Sequence, residues 1–255
     1  MDACDLLYRH WLDGTVLDAL PPALRPADRA AAYRIQAMIE NYSSRPLFGW
    51  KIAATSKAGQ AHIAVDGPMA GRLLAERAVA DGGTCPLGGN RMRVAELEFG
   101  FRMGADLVPR AAPYGQDEVM AHAAALHPAI ELPDSRYRDF TKVGEAQLIA
   151  DDACAHRFVF GTAADTDWRA IDLAAHRVQG FKNGAPAGEG SGANVLGDPR
   201  IALTWLANEL SALGVTLKAG QAVITGTCVT PIPIAAGDRI DGDFGSLGRI
   251  AVAIA

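Results

Sequence analysis

Glu96 and Glu98 lie two residues apart in the run Arg93-Val94-Ala95-Glu96-Leu97-Glu98-Phe99-Gly100-Phe101. In a strand, alternate side chains fall on opposite faces. Val94, Glu96 and Glu98 then share one face, and Ala95, Leu97, Phe99 and Phe101 the other. At ~3.4 Å per residue the two carboxylates leave the backbone about 7 Å apart. Like charges at that distance repel by ~2.4 kcal/mol at an effective dielectric of 20. Water on an exposed face would hide this cost, and a solvated Glu-x-Glu face without metal is one reading. The other is a divalent cation held by oxygen ligands. A second apolar segment, Pro128-Ala129-Ile130-Glu131-Leu132-Pro133-Asp134, brings a third carboxylate in Glu131. Three oxygen donors from two strands close half of an octahedral site. Positions stay open for substrate and water, as a catalytic Mg²⁺ or Mn²⁺ requires.

Lys51 is the one charged residue in the uncharged run Phe48-Gly49-Trp50-Lys51-Ile52-Ala53-Ala54-Thr55. A buried ammonium is expensive unless paired. Either the side chain snorkels to the surface, or it points into a polar site as an acid/base whose pKa is lowered by burial and a nearby cation.

The elements that must position these residues are read from periodicity. Residues 2–12 fit a short helix with Leu6 and Leu7 inward. Asp28 to Tyr42 is a helix with Ala31, Ile35, Met38, Ile39 and Tyr42 on one stripe. Phe48–Thr55 is a buried strand, and 57–80 reads as loop and short helix. Gln116 to Leu126 is alanine-rich and helical; Arg157–Gly161 and Ile171–Val178 read as strands. Asn183-Gly184 signals a type I′ hairpin. Asp198-Pro199 opens the clearest helix, with an apolar stripe at Leu203, Leu206, Ala207, Leu210 and Leu213, ended by Gly214. Short strands follow, with turns at Gly237-Asp238 and Asp241-Gly242. The order is a helical N-terminal part with the lysine-bearing strand (1–80), then a β-rich body (81–255). It favours an α+β or mixed α/β fold over regular βαβ alternation.

A chain of 255 residues, 49% hydrophobic, can bury a sizeable core. The net charge of −5 and the lack of a basic cluster argue against nucleic acid as a partner. No run of about 18 apolar residues suggests a membrane span. Cys4, Cys85, Cys154 and Cys228 are scattered, which favours reduced thiols. With an acidic start lacking an apolar signal core, this leads to an expectation of a soluble cytoplasmic protein.

Taken together, the motifs resemble the fumarylacetoacetate hydrolase superfamily, and within it the 2-keto-4-pentenoate hydratase branch. They are Gly49-Trp50-Lys51-Ile52 with Thr55-Ser56, Glu96-Leu97-Glu98, and Pro128-Ala129-Ile130-Glu131 with Asp134-Ser135-Arg136. Further on come Ala150-Asp151-Asp152-Ala153, Asn194-Val195-Leu196-Gly197-Asp198-Pro199, Trp205-Leu206-Ala207-Asn208, Thr225-Gly226-Thr227 and Phe244-Gly245-Ser246-Leu247-Gly248. The ordered set spans residues 49–250. The resemblance implies a mixed β-sandwich or β-roll and Mg²⁺ or Mn²⁺ held by Glu96, Glu98 and Glu131. It also implies a lysine near the metal, Lys51, and a homo-oligomer. Two places depart from the branch. Met69 stands where the segment after the lysine usually carries a second acid, and Cys154-Ala155-His156 replaces a serine-rich run.

Substrates of this family are small 2-oxo or 2-hydroxydienoic acids. The resemblance implies a hydratase in which Lys51 moves a proton between the enol oxygen and the carbon chain. Water then adds to give a 4-hydroxy-2-oxo acid. Thr55, Gln60 and Thr227 are candidates to bind the carboxylate or orient water. One alternative keeps the same site but ends in decarboxylation of an oxalocrotonate-type acid or hydrolysis of an acylpyruvate. A hydrolase would want a His–acid pair, from His62 with Asp66 or His156 with Asp151. A second alternative is an inactive homologue that binds a dicarboxylate or supports a partner subunit.

Overall fold

The glutamate run forms a strand, Val94–Met103, because its Leu97, Phe99 and Phe101 face can be wholly buried while the other face remains polar. The computed structural model describes residues 2–255. The helices in chain order are α1 (Ala3–Asp13), α2 (Arg29–Ala37), α3 (Lys57–His62), α4 (Gln116–His122), α5 (Glu145–Ala150) and α6 (Pro199–Ala212). The first strands are β1 (Gly49–Ala53), β2 (Met69–Leu73), β3 (Ala78–Val79), β4 (Thr84–Cys85), β5 (Val94–Met103), β6 (Ala123–Leu132) and β7 (Arg157–Phe160). The rest are β8 (Arg177–Lys182), β9 (Ala185–Ser191), β10 (Ala222–Thr227), β11 (Ile232–Pro233), β12 (Arg239–Asp243) and β13 (Arg249–Ile254).

The larger sheet runs β2-β1-β10-β5-β6-β7-β3, with β11 added to β5; the smaller runs β4-β13-β12-β8-β9. Both contain parallel and antiparallel pairs, so the fold is mixed α/β built on two sheets. The core lies between them. Phe99 meets Phe244 edge-on, with ring centroids 5.6 Å apart, and Leu97 packs against Gly180 and Gly242 of the smaller sheet.

Local signals explain most ends. Asp2, Asp28, Ser56 and Asp198 each cap a helix by accepting a backbone N–H. The Asn183-Gly184 turn has positive φ at both residues, as a type I′ hairpin demands. α6 packs on β10, and its Leu203, Leu206, Ala207 and Leu210 are buried.

Four expectations need correction. β2 lies in a segment expected to be loop and short helix, and its pairing with β1 overrides its weak strand pattern. The alanine-rich stretch leaves the helix at His122, because residues from Ala123 onward join β5 in a ladder. Residues 171–176 are turn, and the strand begins at Arg177. Asp241-Gly242 lies inside β12 rather than in a turn. Among the described residues, no helix is long and apolar enough to cross a membrane.

Candidate active site

Register converts three glutamates into one cluster. β5 and β6 run antiparallel with Glu96 directly opposite Glu131 and Glu98 opposite Ala129. Glu131 is therefore the direct neighbour of Glu96 and the diagonal neighbour of Glu98 on one face. One carboxylate oxygen from each lies within 4.8 Å of the others. Glu98 and Glu131 are fully buried, and Glu96 alone is half-buried. The solvated-face reading therefore fails, and solvent reaches the cluster on the Glu96 side.

The electrostatics of the cluster fit a cation. Burial first, then the neighbouring carboxylates, pushes Glu98 well above the usual range; Glu96 is pushed up to about 7 for the same reasons. Burial raises Glu131 too, against the pull of Lys51. Glu98 Oε1 and Glu131 Oε2 are buried without a hydrogen-bond partner. Buried carboxylate oxygens left unpaired are costly. Three hard oxygen donors on one face suit a divalent cation of the Mg²⁺, Mn²⁺ or Ca²⁺ type. Glu96, Glu98 and Glu131 could hold it.

Lys51 belongs to the same constellation. β10 and β5 separate its strand from β6, so the backbones are roughly 14 Å apart at normal strand spacing. The long lysine stem and the curl of the sheet close that gap: Nζ stands 3.2 Å from Glu131 Oε1. The side chain is 3% exposed and does not snorkel. Burial pulls its pKa down, but Glu131 and Glu96 outweigh burial and hold the ammonium above its ordinary value. That is opposite to the lowered value expected from the sequence. A dication shared by the same carboxylates would offset their pull.

Gly226 and Gly71 make this closeness possible. Gly226 sits at φ +101°, and its N–H donates to Glu98 Oε2 at 2.6 Å. A Cβ there would stand 2.0 Å from Thr55 Oγ1. At Gly71, opposite Lys51 in the β1–β2 ladder, a Cβ would stand 2.4 Å from the Asp152 carbonyl oxygen.

Beyond Gly71 comes the least expected element. Asp152, Ala153 and Cys154 all have positive φ (54°, 48° and 63°). Each such non-glycine residue costs roughly 1–3 kcal/mol, and left-handed residues rarely occur in succession. The turn closes where Ala155 N–H donates to the Asp152 carbonyl, 2.9 Å. Lys51 Nζ donates to the Ala153 carbonyl at 2.9 Å. Asp tolerates the left-handed region, but nothing in Ala153 or Cys154 signals it, and sequence reasoning missed the turn. It also missed the support beneath β2. There the Gln36 side-chain amide donates to the carbonyls of Ala70 and Ile149, and Tyr33 accepts from Ala70 N–H.

Of the other expected residues, Thr55 and Thr227 lie beside the cluster. Thr55 is buried against Gly226. Thr227 faces Glu98 across the ladder, with its hydroxyl donating to Val229 O. Gln60 is engaged internally, donating to Ala54 O and accepting from Lys57. Neither His–acid pair forms. Asp151 binds Arg136 and Ser135. His156 accepts from Trp11 Nε1 at 2.6 Å. Burial and then the nearby arginines push its pKa down to about 3. His62 meets the edge of Phe140, with the ring centroids 6.0 Å apart. Two surface clefts, beside Trp168 and Arg200 and beside Phe181 and Arg239, include no residue of the cluster.

Comparison with known proteins gives the same direction. No family model matches the chain. It is 35% identical over 212 residues to the 2-hydroxyhexa-2,4-dienoate hydratase of Comamonas testosteroni, covering 82% of this chain and 79% of the relative. It is 32% identical over 256 residues to 2-keto-4-pentenoate hydratase 1 of Dechloromonas aromatica, covering 99% and 96%. Among solved structures, the 4-oxalocrotonate decarboxylase of Pseudomonas putida G7, complexed with magnesium and adipate, superposes with a TM-score of 0.90. The pair are 27% identical, with 99% of this chain and 96% of that one covered.

Proposed function

The chain belongs to the 2-keto-4-pentenoate hydratase branch of the fumarylacetoacetate hydrolase superfamily, and from that premise we propose that it adds water to a 2-hydroxy-2,4-dienoate, giving a 4-hydroxy-2-oxo acid. The observation that carries the mechanism is the buried Lys51 amine, 3.2 Å from Glu131 in a three-glutamate cluster. Glu96, Glu98 and Glu131 would hold Mg²⁺ or Mn²⁺, and the ion would supply Lewis-acid stabilisation of negative charge developing on the substrate.

Lys51 carries the proton. Its amine takes the enol proton from the 2-oxygen and returns one at C5, leaving an α,β-unsaturated 2-oxo acid. Water then adds its oxygen at C4 and a proton goes to C3, so one water is consumed per turnover. The half-buried Glu96 side is the route for substrate and water. Thr55, Gln60 and Thr227 orient the substrate carboxylate or the attacking water. The four cysteines are free, which agrees with a reducing, cytoplasmic location. The working protein is a homo-oligomer, which light scattering would test.

The likeness to a decarboxylase supplies the competing reaction, loss of CO₂ from an oxalocrotonate-type acid on the same cluster. One assay separates them. Purified protein with Mg²⁺ and 2-hydroxypenta-2,4-dienoate should bleach the dienol absorbance and yield the hydroxy-oxo acid. Turnover of 4-oxalocrotonate with CO₂ release, and none of the dienoate, would replace the hydratase reading. Silence on both with metal still bound would move the protein to a binding role, which the intact lysine and glutamates argue against.

A further inference from the structure

We propose that the left-handed turn Asp152-Ala153-Cys154 positions the Lys51 amine, and that Asp152 is a positioning residue acting through the backbone N–H of Arg72. The proposal rests on the reading of Lys51 as the proton carrier. An ammonium has three donors on a flexible four-carbon stem. Opposite three carboxylates, an untethered amine would be drawn toward whichever oxygen is nearest. Here two of its donors are directed: one to the Ala153 carbonyl at 2.9 Å, the other toward Glu131 at 3.2 Å. The third position, lone pair or N–H according to the protonation state, is left for the proton exchanged with the substrate.

The Ala153 carbonyl is useful only if its place is fixed. Asp152 Oδ1 accepts the Arg72 N–H at 2.6 Å, which ties the turn to the open edge of β2. Arg72 follows Gly71, and Gly71 is the ladder partner of Lys51. Turn and lysine are therefore indexed to the same point on neighbouring strands. The missing Cβ of Gly71 lets them meet, since a Cβ there would crowd both the Asp152 carbonyl and Lys51 Cδ, at 2.4 and 2.9 Å. Strained backbone of this kind concentrates at functional sites. Of the eight non-glycine residues with positive φ among those described, these three are consecutive, and the carbonyl of the middle one, Ala153, accepts from the lysine.

Asp152→Gly and Asp152→Asn test this. Both residue types accept φ near +54°, so the pair differs in the acceptor oxygen. Asp152→Gly should lower kcat at least tenfold with unchanged KM and Mn²⁺ affinity. Labelling of Lys51 by trinitrobenzenesulfonate, read by mass spectrometry, should quicken. Asp152→Asn should restore both. The buried Cys228 thiol is the control for folding and should stay unreactive in both variants. Three results overturn the proposal: unchanged kcat and labelling in Asp152→Gly; Asp152→Asn as impaired as Asp152→Gly; or Cys228 becoming reactive in Asp152→Gly, which makes the turn a fold element. If the wild-type protein does not hydrate the dienoate, the proposed function fails while the labelling comparison still decides the positioning.

Discussion

The Lys51 amine and the Glu131 carboxylate meet at 3.2 Å although two strands lie between their backbones. The pair joins the early lysine strand to the third glutamate, and both members are buried. Removing the amine leaves Glu131 without its counter-charge, an effect worth about 3–5 kcal/mol for a buried pair. Lys51→Met should therefore melt lower than wild type when metal-free. With Mn²⁺ bound, the gap should narrow. Turnover should fall by roughly 10²–10⁴-fold, the usual range for a lost acid/base group, with Mn²⁺ affinity kept within a few-fold by calorimetry. Full turnover in Lys51→Met would remove the lysine from the mechanism.

Glu98→Gln should separate stability from function. Burial and its carboxylate neighbours strain the charged form of Glu98. The amide oxygen can still accept the Gly226 N–H. The metal-free variant should melt above metal-free wild type, measured in EDTA. Added Mg²⁺ should raise the wild-type melting point and leave the variant unmoved. At a ligand concentration of 100 Kd, binding stabilises by about 2.7 kcal/mol, and that increment is what the variant should lose.

Gly226→Ala introduces a Cβ at a φ that L-residues avoid, 2.0 Å from Thr55 Oγ1. Either Thr55 or the stretch of β10 between Ile224 and Thr227, where its register with β5 shifts, must move, and the N–H aimed at Glu98 moves with it. Thermal denaturation should show a loss of several degrees, and metal affinity should weaken at least tenfold. Thr55→Ser in the same background should recover little, since the hydroxyl is the atom nearest the added carbon.

His156 gives a pH dependence of known sign. Its folded pKa, about 3, lies below the ordinary 6.5, so the unfolded chain binds the extra proton between those values. The stability that neutral His156 provides is whole above pH 6.5 and is lost as pH falls toward 3. His156→Gln keeps an acceptor for Trp11 and cannot take that proton. Between pH 6.5 and 4.5, wild type should lose more in melting temperature than the variant. A difference of about 3 °C corresponds to roughly 1 kcal/mol for a chain of this size. Equal slopes would mean that His156 is protonated in the fold.

Much of the site was legible because its residues break local rules. A lysine in an apolar run and two glutamates on a strand with an aromatic face are each expensive unless something compensates, and the types alone expose that. What supports the site was not legible. β2 carries Arg72 and two small residues and becomes a strand only through β1. In the Asp152–Cys154 turn only Asp152 is of a type that tolerates φ > 0; Ala153 and Cys154 have no preference for it, and the packing around Gly71 selects the conformation. His156 lies near Asp151 in sequence, yet Trp11 and Arg136, from distant segments, take the two side chains apart.

The residue types by themselves determined the parity of Glu96 and Glu98 and the cost that burying them would carry, since these follow from a two-residue period and Coulomb's law; the choice between a solvated face and a cation site waited on their burial. Register, sheet order and curl decided the rest. They set Glu131 opposite Glu96, carried Lys51 across two intervening strands, and put the Ala153 carbonyl against the amine. Those are distances between segments from 35 to more than 100 residues apart, and a linear pattern holds no information about which strands become neighbours until the core between the two sheets has formed.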